Sequence, residues 1–348
     1  MKIIYISSKH NYGDPQREFF YQVLTNMDNR SHKVVYFAFD ELMEKFGRKK
    51  MNNLLLEEVN KEKPDLCFFF IRRDEIKKET IRKISKNFVT LNWFADDHWR
   101  FDNFSKHWAF CFNWIATTDS QAKEKYHKIG YNNVIHSQWG FNHFFYKVRE
   151  LPKIYDVSFI GQPHGNRKKL VAELERAGIK LNCWGRGWPN GWVSNEDMAR
   201  IFSQSKINLS FTKSSNYNII KSIGGIFLKK LRRGKRNLIV PENPYYWWDN
   251  IKSLYHRKRR QIRTRDFDIL GCGSFALSEA ADNIEDYYQN NKEIVLFYSI
   301  DDLVKKIKYY LIHSKEREEI ARAGQIRTLR DHTYEKRFQQ IFNAIGIK

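Results

Sequence analysis

The 348-residue chain is predicted to be an α/β protein with two Rossmann-like domains, each built on a parallel sheet. Three observations lead there. At about 150 residues per domain the length fits two, each with enough chain to bury a core. Short β-branched or aromatic runs alternate with longer helical patterns through the first third. The same alternation restarts after FNHFFYKVRELPKI (141–154), an irregular segment with a proline near its end.

In order, KIIYIS, VVYFAF, LCFFFI, FVTLNWF, NWIATT and NVIHSQW are predicted strands, too short and too continuous in apolar character to be surface helices. Between them, PQREFFYQVLTNM offers Pro15 in a first helical turn, and DEIKKETIRKISKN leads with acids and trails with bases, as the helix dipole prefers. Residues 1–150 form the expected first domain. The second, 151–332, opens with strand YDVSFIG, then helix NRKKLVAELERAG, strand KLNCWG, helix SNEDMARIFSQS behind a capping box of Ser194 and Asp197, and strand INLSFT. The pattern stops for about fifty residues, assigned as a basic insertion at 213–262. It resumes with RDFDILGCGSFAL, EIVLFY and SIDDLVKKIKYYLIH, where Ser299 and Asp302 form a second capping box, and ends in EREEIARAGQIRTLRDH and TYEKRFQQIFNAIG. No repeat of solenoid period occurs.

Composition narrows the class. Hydrophobic residues are 42% and charged residues 29%, the balance of a folded globular chain and not of a disordered one. No apolar run nears the about 18 residues of a bilayer span, and MKIIYISSKH lacks a signal peptide's apolar stretch, so a cytoplasmic location is expected. Cys67, Cys111, Cys183 and Cys272 stand too far apart for a CxxC metal knuckle and are expected as buried free thiols. Lys and Arg number 61 against 40 Asp and Glu, a net +21. Seventeen of the bases but only Glu242 and Asp249 of the acids fall between Met198 and Arg265, so the excess is concentrated where a polyanion, anionic lipid or phosphate would be held.

Ligands of open parallel sheets bind beyond the carboxyl ends of the strands, and two such sheets facing each other make a cleft. Three loops meet that test. SSKHNYGDP, with Tyr12 and Gly13, follows the first strand. ADDHW follows the fourth, where Asp96, Asp97 and His98 stand between aromatics that tune a carboxylate or imidazole for proton transfer. Capping of the next helix by Asp97, with His98 as a packed polar residue, fits the same residues. GQPHGNRKK places Gly161 on a strand end and Arg167, Lys168 and Lys169 at a helix start, a suitable diphosphate seat. A glycine turn before a solvated basic helix face fits equally. Neither GxxxxGK[ST] nor GxGxxG is present, which counts against a kinase or a dehydrogenase. In RTRDFDILGCGSFAL, Asp268 lies one turn before Gly271 and Gly273, an arrangement for holding ribose hydroxyls or, as readily, a C-capped helix.

The blocks RTRDFDILGCGSFALSEAADNIEDYY, EIVLFYSIDDLVKKIKYYLIH and EREEIARAGQIRTLRDHTYEKRFQQIF resemble the C-terminal domain of the CgeB-like, spore-maturation-type GT-B glycosyltransferases. NWFADDHWRFD and SFIGQPHGNRKK look like that family's upstream elements. The resemblance implies a GT-B fold with two Rossmann-like domains facing a cleft, a nucleotide-sugar held mainly by the second, an acceptor approaching the first through Tyr12 and Gly13, and a final helix (333–348) crossing back to the first domain. By position it implies donor contacts from Gly161, Arg167, Lys168, Arg263, Arg265, Asp268, Gly271 and Gly273, with Asp97, His98 or Asp96 as acid/base group. Asp268 stands where the family usually has a glutamate, one methylene longer. Positive groups are expected to replace a metal ion, so no cofactor and no metal site is expected. The acceptor would be a surface glycan, a lipid-linked sugar or a protein.

IIKSIGGIFLKKLRRGKR and RKRRQIRTR flank YYWW (245–248). This basic amphipathic stretch, 219–265, suggests peripheral contact with an anionic membrane surface. Two other readings stay open. Basic patches interleaved with aromatics also suit nucleic acid, as a binder or a nucleic-acid-glycosylating enzyme, and a non-enzymatic nucleotide or sugar binder fits the two domains.

Overall fold

The computed structural model describes residues 1–9, 16–212, 219–233 and 236–347; Tyr12 and Gly13 lie outside the described residues. The chain divides into two compact units. The first comprises Met1–Gln138, Asn218–Arg257 and Arg337–Lys348, and the second Trp139–Tyr217 and Lys258–Lys336.

The first unit runs β1 (Lys2–Ser7), α1 (Gln16–Asn26), β2 (Lys33–Ala38), α2 (Phe39–Glu62), β3 (Leu66–Phe69), α3 (Lys78–Ser85), β4 (Thr90–Phe94), α4 (Asp97–Arg100), β5 (Trp114–Thr117), α5 (Ala122–Lys128) and β6 (Val134–His136). All six strands are parallel, in the order β2-β1-β3-β4-β5-β6. The continuous apolar runs are explained by burial of both sheet faces. Ile4, Ile6, Cys67, Phe69 and Ile115 join one core, while Tyr5, Phe68 and Trp93 form an aromatic layer with Phe20 of α1.

The second unit contains β7 (Tyr155–Ile160), α6 (Arg167–Arg176), β8 (Leu181–Trp184), α7 (Asn195–Gln204) and β9 (Ser205–Ser210). The chain then forms α8 (Ile219–Phe227), β10 (Leu228–Arg233), β11 (Arg236–Pro241) and α9 (Trp247–His256), and returns through α10 (Thr264–Gly271), β12 (Ala276–Glu279), β13 (Val295–Phe297), α11 (Ile300–Ile312), α12 (Ser314–Asp331) and α13 (Tyr334–Ile345). The second sheet is parallel, in the order β13-β12-β9-β7-β8. Counted within its own domain it repeats the 2-1-3-4-5 winding of the first. Of both expected capping boxes the N-cap half forms: Asp197 N donates to Ser194 Oγ at 3.0 Å and Asp302 N to Ser299 Oγ at 3.2 Å. All four cysteines are buried free thiols.

Two expectations change. The apolar residues of IIKSIGGIFLKKLRRGKR fall at helical intervals, yet the block after Phe227 is a hairpin: β10 pairs antiparallel with β11 from Leu228↔Pro241 to Arg233↔Arg236. Gly234 is a poor helix residue, and the β-branched Ile239 and Val240 favour a strand. Second, residues 218–257 pack with the first unit, where the sequence had placed them in the second. The reason is α9, whose Asp249 meets Lys106 Nζ at 2.6 Å and His107 Nε2 at 3.0 Å, while Asn103 donates to Asn250 at 3.0 Å. The final helix does return. Phe338 and Phe342 belong to the first unit, and the Phe338 ring lies 5.4 Å from Phe20 and 5.6 Å from Phe68.

Candidate active site

A 2-1-3-4-5 sheet reverses direction between its first and third strands, and ligands favour the crevice at that switch point. In the second domain the switch lies between β7 and β9. Gly161 directly follows β7, its N–H donating to Trp184 O at 2.8 Å and its carbonyl accepting from Trp188 Nε1 at 2.8 Å. Arg167, first residue of α6, turns back: Nη1 donates to Gln162 O at 2.8 Å and Nη2 to Phe211 O at 3.0 Å. Its guanidinium thus joins the loops following the two switch-point strands, over the ring of Phe159 at 5.3 Å.

Just before α10, Arg263 donates to Thr212 O from Nε at 3.2 Å and Nη2 at 2.8 Å. Arg265 stands over Phe202, contacts Met198 Sδ and lies 3.6 Å from Asp268. The three arginines share one neighbourhood. Burial first, then the charges of Arg263 and Arg265, push Arg167 down to about 10, with Glu279 opposing. Asp268, Asp266 and Glu279 stand among these arginines, yet the cations still depress one another at Arg167, a repulsion that an added anion would relieve.

Glu279 was missed by sequence reasoning. It ends β12 and accepts from Thr212 N at 3.0 Å and Thr212 Oγ1 at 3.1 Å. Thr212 therefore has its donors on Glu279 and its carbonyl on Arg263, which ties the end of β12 to the segment after β9. The available signal was a carboxylate closing the apolar run FALSE.

Asp268 is buried in α10, and its Oδ1 has no hydrogen-bond partner. Burial raises it to about 7 against the opposing pull of Arg265, with Asp266 adding to the rise. Capping of α10 falls instead to Asp266, which accepts from Arg263 N at 3.0 Å and Ser278 Oγ at 2.8 Å. Gly271 and Gly273 serve the turn in different ways. A Cβ on Gly271 would lie 2.4 Å from the Phe141 ring, and Gly273 adopts φ +73, so one permits close packing and the other a left-handed backbone. Lys168 is exposed on α6.

In the first domain the three candidates after β4 separate. Asp97 is fully buried, accepting from Tyr126 Oη at 2.8 Å. Burial raises it to about 7, with Ser105, Thr117 and Tyr126 opposing. Its surroundings are those of a core anchor. His98 is buried too, while Asp96 is half-buried, its carbonyl accepting from Trp99 N and Arg100 N. Among the described residues no cluster of His, Cys, Asp and Glu could hold a metal ion, and no helix is long and apolar enough to cross a membrane.

Comparison with known proteins bears on the family and the fold. The family described as Glycosyl transferase-like matches residues 167–223 and 232–343. The chain is 22% identical over 226 residues to spore protein CgeB of Bacillus subtilis (strain 168), a match covering 64% of this chain and 64% of that protein. Among solved structures, sucrose-phosphate synthase of Thermosynechococcus elongatus superposes with a TM-score of 0.64 at 10% identity, covering 99% of this chain and 98% of that one. Anabaena HepE in complex with UDP gives 0.60 at 10% identity, over 99% and 100%. The lipopolysaccharide outer core galactosyltransferase WaaB gives 0.55 at 14%, over 99% and 99%.

Proposed function

Because residues 167–223 and 232–343 match the glycosyl transferase-like family and the fold is GT-B, we propose that the chain is a glycosyltransferase that moves a sugar from a uridine-diphosphate donor to a hydroxyl of a surface glycan or lipid-linked acceptor, without a metal ion. The observation that carries this reading is the arginine cluster at the β7/β9 switch point. As the acceptor oxygen bonds to the anomeric carbon, the bond from that carbon to the diphosphate oxygen breaks and its electron pair stays on the leaving nucleotide. Arg167, Arg263 and Arg265, with the N-terminal amides of α6, supply the positive field that favours this charge. Asp268 offers its unpartnered oxygen to ribose hydroxyls. Asp96, the most open of the three first-domain candidates, takes the acceptor's proton, while Asp97 holds the β4–α4 junction rigid. Uridine is favoured because HepE, which shares this fold, is known in complex with UDP and UDP-glucose.

The experiment is a thermal-shift panel of UDP, GDP, ADP and UDP-glucose on the wild type and on Asp268→Ala, with donor turnover measured with and without EDTA. A ligand at about 100 times its Kd stabilises the native state by about 2.7 kcal/mol. The expected result is a shift with the uridine compounds, lost in the variant, and turnover indifferent to EDTA. A shift with another nucleotide reassigns the donor. Loss of turnover in EDTA, restored by manganese, refutes the metal-free chemistry.

A further inference from the structure

We propose that α8, the β10–β11 hairpin and α9 form a face that docks the first domain onto an anionic phospholipid bilayer. The evidence begins with α9, whose amphipathicity is inverted. Asp249 and Ser253 are buried, Asp249 on Lys106 and His107, and Asn250 donates to Ile226 O at 3.1 Å. Its outer stripe is Trp248, Ile251, Lys252 and Tyr255, at spacings of three, one and three that keep one helix face. Trp248 is 64% and Tyr255 68% exposed, unusual for large rings on a helix whose polar residues are covered. The same module exposes Tyr245 at 73% and Ile239 at 63%, together with Phe227, Leu228 and Leu238.

Charge selects the occupant. Residues 218–257 carry nine Lys and Arg against Glu242 and Asp249. Both acids are engaged within the protein, Glu242 with Lys229 at 3.2 Å and Asp249 with Lys106 at 2.6 Å, so the module's uncompensated charge is positive. Indole and phenol rings prefer the headgroup layer, and lysine and arginine are drawn to acidic headgroups within a Debye length. Lys252 Nζ, 5.9 Å from the centre of the Trp248 ring, joins the two preferences in one patch. A protein partner or a second copy would use the rings but not the excess of charge. Nucleic acid would use the charge, yet would not require apolar Ile239 and Ile251 in the open.

The docked face also reaches the loop after β4. Asp249 and Asn250 grip Lys106, His107 and Asn103, and Arg257 stands 4.6 Å from the ring of Trp99, next to His98. The bilayer would therefore bear on the segment that carries Asp96.

The test is flotation of the full chain with vesicles of phosphatidylcholine alone and with about a third phosphatidylglycerol, comparing the wild type, the triple variant Trp248→Ser/Ile251→Ser/Tyr255→Ser, and the single variant Trp248→Ser in case the triple variant misfolds. Circular dichroism and the UDP thermal shift report folding and the donor site separately, so a failed docking face and a failed donor assignment give different results. The wild type is expected to partition at least tenfold more onto the acidic vesicles, and the triple variant to lose at least tenfold while keeping its melting temperature. Equal partition onto both vesicles, flotation unchanged in the folded variants, or tight binding to duplex DNA with no flotation would each overturn the proposal. So would a dimer dissolved by Trp248→Ser that floats no better than phosphatidylcholine alone allows.

Discussion

Arg167 Nη2 donates to the carbonyl of Phe211 at 3.0 Å while Nη1 holds Gln162 at 2.8 Å, so one guanidinium closes the crevice between β7 and β9. Arg167→Gln is expected to lower donor turnover by about 100- to 1000-fold, the range seen when one preorganised donor to developing charge is lost. Arg167→Lys is expected to fail as well, because an ammonium cannot fork to two carbonyls. Turnover assays with saturating UDP-glucose check both, and near wild-type activity in the lysine variant would show that charge alone suffices.

Asp268 should make donor binding pH-dependent. Its carboxyl sits at about 7 in the free protein, and ribose hydroxyls donate more strongly to the ionised form. Affinity for UDP-glucose, whose diphosphate diester keeps a fixed charge over this range, is therefore expected to weaken as pH falls below about 7. Asp268→Asn should bind weakly and without that slope. Titration calorimetry between about pH 5.5 and pH 8 measures both, and an identical slope in the variant would assign the pH dependence to another group.

Asp97 and Asp96 are adjacent in sequence and opposite in expected effect. Folded Asp97 keeps its proton up to about pH 7, whereas unfolded it sheds the proton near the ordinary value of 3.8. The native state thus binds more protons across that window, and stability falls as pH rises through it. Asp97→Asn, which still offers Tyr126 a carbonyl, is expected to flatten the fall and keep activity. Asp97→Ala strands the buried Tyr126 hydroxyl, at a cost of about 1–3 kcal/mol. Asp96→Asn should leave stability unchanged and abolish transfer. Urea melts at several pH values, paired with turnover, separate the two residues.

The contrast shows what the sequence can carry. All eleven strands of the two parallel sheets lie within or beside runs legible as strands, since a strand buried on both faces writes itself as a continuous apolar segment. Arg167 was legible because it follows the glycine-containing loop after a strand, whereas Arg263 and Arg265 were reached only through the family resemblance. Which of Asp96 and Asp97 points inward was not, because that depends on where β4 stops and on Tyr126, twenty-nine residues away. Glu279 was hidden likewise, its partner Thr212 lying in another βα unit. The basic segment misled for a local reason: IIKSIGGIF has a helix's spacing, and only the cross-strand pairing after Phe227 ends it.

Phe338 tests the returning helix. It is fully buried in the first domain against Phe20, Phe68 and Trp93, at ring distances of 5.4, 5.6 and 6.1 Å. These rings come from α1, β3 and β4, so the last segment completes the aromatic layer on one sheet face. Phe338→Ala leaves a cavity that rigid neighbours fill poorly, and about 3–5 kcal/mol of the first domain's stability is expected to go. Because α13 contributes this ring late in the chain, deletion of residues 337–348 should destabilise the first domain at least as much. Tryptophan fluorescence in urea, dominated for this layer by Trp93, is expected to report a lower midpoint in both variants. The UDP-dependent thermal shift, which reads the β7/β9 crevice, should persist at temperatures where the first domain stays folded. An unmoved midpoint in Phe338→Ala would mean that the aromatic layer closes without the helix.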